Sequence, residues 1–504
     1  MAIRKSGGKL NEEAKEEVRQ WCRKIGYEVL GATIARTHAE YSTNFEYIQP
    51  SDFSRLNAIH IAGTKGKGST SAFTSSILTQ FIGEPKGDGT LTPITKIGLY
   101  TSPHLRFVRE RIQINNKPLS EEEFARYFFE IWDRLETSAQ KAGMNPKDVS
   151  SKPAYFQYQT LMAFHTYLSK GVDCAIIECG IGGEYDSTNV LTRPTLTGIT
   201  SLSIDHEGVL GGTIEQIAWH KAGIMKPGAK CLSSPGQPTA AVRVLEDRAK
   251  ERGVELQIVE IDQDINSGKT VLGLDADFQK INASLAVALA KNWLEKRGIE
   301  TEGVTFNEKV NKGLLEVQWG GRCETRCEPG LTWYIDGGHT LDSIEMAGKW
   351  FAYRVLSRAK MTQKKTIRAL IFNQQTRDAS PIVKALHTTL STALRPLKPF
   401  SHVFFCTNTT LRETGFRPDL LSINTNASDV SDLKVQNGLA RTWADIDPST
   451  SVTVVRTIED AVTGVRQLVA DGSEVTAFVT GSLHLVGGFL EVLESKPDET
   501  QYTR

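Results

Sequence analysis

Apolar residues recur along the chain in two alternating rhythms. Short unbroken runs such as "NAIHIAG", "GVDCAIIECG" and "TLTGITSLSID" read as strands of a sheet covered on both faces. Between such runs the spacing changes to that of a helix. "LNEEAKEEVRQWCRKIG" sets Val18, Trp21, Cys22 and Ile25 on one side, and "STSAFTSSILTQFIG" aligns Phe73, Ile77, Leu78 and Phe81. Near residue 325 the alternation restarts. "LTWYIDGGH" is a strand, and "TLDSIEMAGKWFAYRVLSR" is a helix with Ile344, Trp350, Phe351 and Val355 together. "TIRALIFNQQTRD", "SHVFFCTN", "SVTVVRT" and "EVTAFVTGS" are further strands. This alternation predicts an α/β protein with a central, mainly parallel sheet and a second, smaller doubly wound domain. At 504 residues the chain exceeds one ordinary core, and the restart divides it into 1–324 and 325–504. "EPKGDGTLTP" and "SINTNASDVSDLKVQNGLARTW" are polar surface excursions.

Charge narrows the function by exclusion. Lys+Arg and Asp+Glu both number 59, so there is no basic excess to hold nucleic acid. No window approaches the ~18 consecutive apolar residues of a membrane span. The seven cysteines are scattered, with Cys174 and Cys179 inside an apolar run, as reduced core thiols would be. Cys323 and Cys327 lack the second pair a zinc site needs. The N-terminus starts basic, turns acidic by residue 12 and has no apolar stretch, so no secretory signal is expected and a short transit peptide stays only a weak alternative. A reducing compartment follows: the cytoplasm, with the mitochondrion as a second address.

The candidate chemistry gathers where strands end. "HIAGTKGKGSTSA" puts Gly63, Gly66 and Gly68, with Lys67, between a strand and a helix. That is the context of a phosphate loop, although the common pattern would place a Gly where Ile61 stands and a hydroxyl where Gly68 stands. Glycines let backbone N–H groups approach phosphate oxygens, and Ser69 and Thr70 sit at the helix N-terminus, where an anion is favoured. Glu178 closes "DCAIIE", and Asp205-His206 close "LTGITSLSIDH"; a carboxylate and an imidazole there suit Mg²⁺ on nucleotide phosphates, or simple capping. Ser102 and His104 in "YTSPH" look like any Ser-Pro turn. By composition, Lys221 in "IAWHKAGIMKPG" reads as a solvated lysine at a helix end, and Arg322 in "WGGRCE" as a surface linker residue. Asp336 to His339, "DGGH", is a loop after a strand, a common seat of function.

Taken in order, "AGTKGKGS", "YTSPHL", "RERI", "ECGIGGEYDSTNV", "DHEGVLGGTIEQIAWHKAGIMK", "WGGRCE", "WYIDGGHTLDS", "LIFNQQTRD" and "VTGSLHLVGG" resemble the folylpolyglutamate synthases, among the Mur-type ADP-forming amide ligases. The likeness spans residues 60 to 490 and is nearest the fungal branch. The chain differs where the family often has Pro at Gly320, Ala at Gly338 and Glu at His220. The resemblance implies an N-terminal P-loop ATPase domain and a smaller C-terminal Rossmann-like α/β domain. It implies that Lys65, Gly66, Lys67 and Gly68 line the ATP phosphates, with Ser69 on the metal. Ser102, Glu178 and His206 match magnesium ligands, and Lys221 matches a lysine carrying a carbamate. Arg322 and Asp336 match nucleotide contacts; His339 and Ser482 match positions near the incoming glutamate.

The implied reaction joins a second glutamate to the γ-carboxylate of a reduced folate's glutamate. ATP first makes an acyl phosphate, with Lys67, Lys221 and His206 in the catalytic group and Mg²⁺ as cofactor. A monovalent cation such as K⁺ also fits the family, as does a monomer with no nucleic-acid partner. Closure of the second domain over the first would keep the intermediate from water. Dihydrofolate synthase, acting on dihydropteroate, shares every phosphate and metal residue. A P-loop nucleotide switch is the rival from another class, and it leaves "YTSPHL" and "DGGHT" without a task.

Overall fold

A computed structural model of the protein describes residues 50–84, 93–359, 366–375, 378–412, 433–469 and 474–495. The expected helix bearing Val18 to Ile25, most of "EPKGDGTLTP" and the first half of "SINTNASDVSDLKVQNGLARTW" lie outside them. The chain forms two compact units. The first takes residues up to His104, Arg109–Gly273 and Phe278–Gln318; the second takes Leu105–Val108, Leu274–Asp277 and residues from Trp319 onward. The main change of unit therefore falls at Gln318–Trp319, ahead of the expected 324/325. The turn "WGGRCE" goes with the second unit because Gly337 N–H donates to the Gly321 carbonyl at 2.9 Å.

In the first unit the strands are β1 (Ile59–Ala62), β2 (Ile97–Tyr100), β3 (Ile112–Ile114), β4 (Lys117–Pro118), β5 (Cys174–Glu178), β6 (Leu196–Ile199), β7 (Lys230–Ser233) and β8 (Leu256–Ile258). They lie in the order β4-β3-β2-β5-β1-β6-β7-β8. All neighbours pair parallel except at β2–β3 and β3–β4. The four central strands β1, β2, β5 and β6 are buried at every residue, which is why their sequences show no alternation. Helices Glu121–Lys141 and Tyr155–Lys170 bring Ile131, Tyr158 and Phe164 against Tyr100 and Ile177. Helices Ile214–Ala222 and Thr239–Arg252 bring Ala218, Ala222 and Leu245 against Ile199 and Cys231.

Register decides what meets at the end of this sheet. Ile61 lies opposite Glu178, Ala62 opposite Ile199 and Tyr100 opposite Ile177. The chain thus leaves β1, β2, β5 and β6 along one edge, the carboxyl edge where open α/β sheets bind ligands.

In the second unit the strands are β9 (Glu324–Glu328), β10 (Leu331–Ile335), β11 (Thr366–Phe372), β12 (His402–Phe405), β13 (Ser451–Val454) and β14 (Glu474–Thr480). Their order is β13-β12-β11-β14-β10-β9, with only β9 antiparallel to its neighbour. Both units are α/β with mostly parallel sheets, as the alternation predicts.

Candidate active site at the strand ends

The loop after β1 is built by its neighbours as much as by its own glycines. Thr64 and Lys65 N–H both donate to the Ser201 carbonyl, at 3.0 and 3.1 Å, and the Thr64 hydroxyl donates to the Ser203 carbonyl at 3.0 Å. This corrects one expectation. β6 does not run on to Asp205-His206 but stops at Ile199, because the backbone beyond serves the loop instead of a neighbouring strand. His206 stands in a left-handed conformation, φ 55°, before a single helical turn.

Gly66 caps the helix Lys67–Thr79 at φ 87°, a conformation that favours glycine. A Cβ there would also collide with the Asn282 side chain. Gly66→Ala is therefore expected to cost about 1–3 kcal/mol of stability. It should also abolish the rise in Tm expected of the wild-type protein when ATP is added. An unchanged ATP-induced shift, read by thermal denaturation, would contradict the assignment of the loop to phosphate.

Two lysines converge on this loop. Lys67 Nζ donates to the Gly63 carbonyl at 3.1 Å, and Lys221 Nζ donates to the same oxygen at 2.7 Å. Lys221 is only 2% exposed, which overturns its reading as a solvated helix-end residue. Burial, and then the charge of Lys67, pull its amine from 10.5 down to about 7. Its helix, Ile214–Ala222, starts from a capping box in which Thr213 accepts from Gln216 N–H.

The other strand ends add carboxylates and hydroxyls. The Glu178 carboxylate is buried at the end of β5 and accepts from Ser102 N–H at 3.0 Å, tying the ends of β5 and β2. Ser69 Oγ accepts from the Gln279 amide at 3.2 Å. Lys65 pairs with Asp205 at 3.0 Å. Burial pulls the Asp205 carboxyl up, but the bond and charge of Lys65 outweigh it and hold Asp205 well below the usual carboxylate range. Among the described residues no three His, Cys, Asp or Glu side chains form a metal cage. Of the residues expected at a metal, Ser69, Ser102 and Glu178 carry oxygen donors of the type a hard cation takes, and His206 carries a ring nitrogen.

Arg322, Asp336, His339 and Ser482 belong to the second unit. Asp336 follows β10 and accepts from the N–H groups of Cys323 and Gly338, each at 3.0 Å. Burial raises its carboxyl, opposed by the Arg322 charge. His339 Nδ1 lies 3.0 Å from the Gly337 carbonyl. Ser482 follows β14, and its hydroxyl accepts from Leu485 N–H at 3.1 Å as the cap of helix Leu483–Glu494.

Sequence comparison decides the family. A folylpolyglutamate synthase from Neurospora crassa is 44% identical over 502 residues, covering 98% of this chain and 88% of the relative. The chain belongs to the folylpolyglutamate synthase family. Membership makes it an ATP-dependent ligase. Folylpolyglutamate synthases of Saccharomyces cerevisiae strains are 41% identical over 98% of this chain and 84% of theirs. No family model matches the chain. Among solved structures, Mycobacterium tuberculosis folylpolyglutamate synthase complexed with ADP and AMPPCP aligns with TM-score 0.65 at 23% identity, over 89% of this chain and 94% of that one. An E. coli FolC structure with DHPP and ADP aligns with TM-score 0.60 at 21% identity, over 88% and 91%. At these identities the structures speak for the fold.

Two residues against the loop of this family member escaped the sequence reading. Gln279 and Asn282 lie on helix Asp277–Lys296; Asn282 donates to Gln279 at 2.8 Å and Gln279 donates to Ser69. Both are buried. The signal was present in "FQKINASLAVALA", where two carboxamides interrupt the apolar face of a helix.

Proposed function

We propose that this chain adds L-glutamate to the γ-carboxylate of a reduced folate's glutamate tail, consuming ATP through an acyl phosphate. The observation that carries this reading is the convergence of Lys67 and buried Lys221 on the loop after β1, one strand away from Glu178. Two cations share one carbonyl there, an arrangement suited to polyphosphate and to reversal of one of the charges.

The chain's own groups account for the steps as follows. The loop, Lys65 to Ser69, cradles the ATP phosphates, and Lys67 offsets charge as the γ-phosphoryl passes to the folate carboxylate. The carboxylate oxygen forms the new P–O bond while the bond to ADP breaks. The glutamate amine then attacks the acyl carbon, and phosphate leaves from the tetrahedral intermediate. A free α-amino group titrates near ~8, so it needs only modest help to lose its proton. Mg²⁺, when bound, would neutralise phosphate charge, held by Ser69, Ser102, Glu178 and His206. Lys221, with an amine near 7, is suited to react with CO₂, forming an N–C bond and releasing a proton to leave a carbamate anion. His339 and Ser482 belong with the glutamate and Arg322 and Asp336 with the nucleotide. A monomer, with K⁺ as an optional activator, fits the same reading.

Dihydrofolate synthase is separated by supplying dihydropteroate or a monoglutamylated folate with ATP and glutamate. Product from the folate and none from dihydropteroate is expected; the reverse overturns the proposal. Arg322→Ala is expected to raise the KM for ATP about tenfold or more and to slow acyl phosphate formation, with the KM for glutamate little changed. Steady-state kinetics check this. A loss confined to glutamate would move the arginine to the amino-acid site.

A further inference from the structure

The peptide that carries Lys221 is gripped by a second stretch of backbone, Gly183–Glu184. Gly183 packs directly on it: a Cβ there would lie 2.7 Å from the His220 carbonyl oxygen and 2.8 Å from that of Lys221. Gly223 returns the contact, since a Cβ on it would overlap the Glu184 backbone. Glu184 N–H donates to the His220 carbonyl at 2.6 Å. The Glu184 carboxylate, 6% exposed, accepts from Arg248 at 2.6 Å and Arg252 at 2.5 Å. Arg252 also donates to the carbonyls of Gly223 and Met225, both at 2.9 Å, and the Arg248 guanidinium lies 4.6 Å over the Trp219 ring.

These contacts converge on residues 219 to 225. We infer that Gly183, Glu184, Arg248 and Arg252 form a clasp whose task is to position Lys221. The inference rests on the reading of Lys221 given above. A lysine favours water, so one buried against a backbone carbonyl stays there only if its own backbone cannot retreat. The two glycines allow the helix end and the segment 183–184 to touch backbone to backbone. The carboxylate, shared by two arginines, then locks them: one arginine reaches past it to the very carbonyls that follow Lys221. Breaking a buried pair of this kind leaves an uncompensated charge, so the lock is sensitive to small changes. Glu184, Arg248 and Arg252 are positioning residues: their bonds go to one another and to the backbone around Lys221, and they act through that backbone.

The test uses the full chain, with Glu184→Gln and Gly183→Ala each made alone and in a Lys221→Ala background. Native-state acetylation by acetic anhydride, read by peptide mass spectrometry, compares Lys221 with exposed Lys269 as the internal reference. In the wild type Lys221 should label at least about tenfold more slowly than Lys269, and either variant should raise its relative rate about fivefold or more. In the same variants kcat should fall about tenfold or more with the KM for ATP within about twofold, and should fall no further when Lys221 is already alanine. Unchanged labelling, or a kcat loss of equal size in both backgrounds, would overturn the clasp. Should Lys221→Ala prove as active as the wild type, the part given to Lys221 in ligation fails, and labelling alone then judges the clasp. If Gly183→Ala does not fold, Glu184→Gln, which keeps the shape of the side chain, decides.

Discussion

Lys221→Ala is expected to be nearly inactive, with kcat down about a hundredfold or more, a barrier rise of about 2.7 kcal/mol. The side chain is buried, bonded to the Gly63 carbonyl and near the cation of Lys67. As an ammonium it would repel a metal brought in with ATP; as a carbamate it would attract one. An ordinary lysine at pH 7 is neutral in only about one molecule in three thousand. Here burial and Lys67 bring the amine down to about 7, so far more of it is neutral and able to react with CO₂. The sign of the pH effect follows. Below about 7 the amine holds its proton, CO₂ is shut out, and activity falls; above 7 the neutral form dominates and loading is limited by CO₂. Added bicarbonate should therefore raise activity most in CO₂-depleted buffer, and acetate or formate should partly rescue Lys221→Ala by supplying a loose carboxylate. An active alanine variant, indifferent to carboxylate and bicarbonate alike, contradicts the assignment.

Glu178→Gln should abolish ligation while leaving the fold in place. The Ser102 N–H that now donates to the carboxylate finds an equivalent acceptor in the amide oxygen, so the tie between β5 and β2 survives. What is lost is a negative charge at the edge where the loop, β2 and β5 end. A carboxylate oxygen is a far better partner for Mg²⁺ than a carboxamide. Thermal denaturation should give a Tm near that of the wild type, while kcat falls beyond measurement. Retention of more than about a tenth of kcat, a barrier change under about 1.4 kcal/mol, would remove Glu178 from the metal.

The parts of this site set by local rules were legible in the chain. β1, the glycine loop and its helix follow one another as an apolar run, permissive residues and a periodic segment, and the fold class follows from repeating that pattern. The parts set by packing were not. Lys221 reads as a surface residue because nothing near it in sequence shows that Gly183, some forty residues earlier, brings a second backbone against its own. The end of β6 was misplaced because the donors that take up the carbonyls beyond it belong to the loop after β1. β9 went unread because "ETRCE", a mostly exposed edge strand, carries no apolar run. The roles of Arg322, Asp336, His339 and Ser482 came from family likeness alone; geometry adds that Asp336 is buried beside Arg322 and that the Ser482 hydroxyl serves as a helix cap.

The acyl phosphate is the centre of the account, and isotope transfer tests it most directly. A monoglutamylated folate carrying two ¹⁸O atoms in its γ-carboxylate is incubated with ATP, Mg²⁺, glutamate and the full chain, and both products are weighed by mass spectrometry. Phosphorylation of the carboxylate predicts one ¹⁸O in the released phosphate and one in the new amide carbonyl, with one ADP per glutamate added. Unlabelled phosphate, with glutamate added all the same, would contradict it.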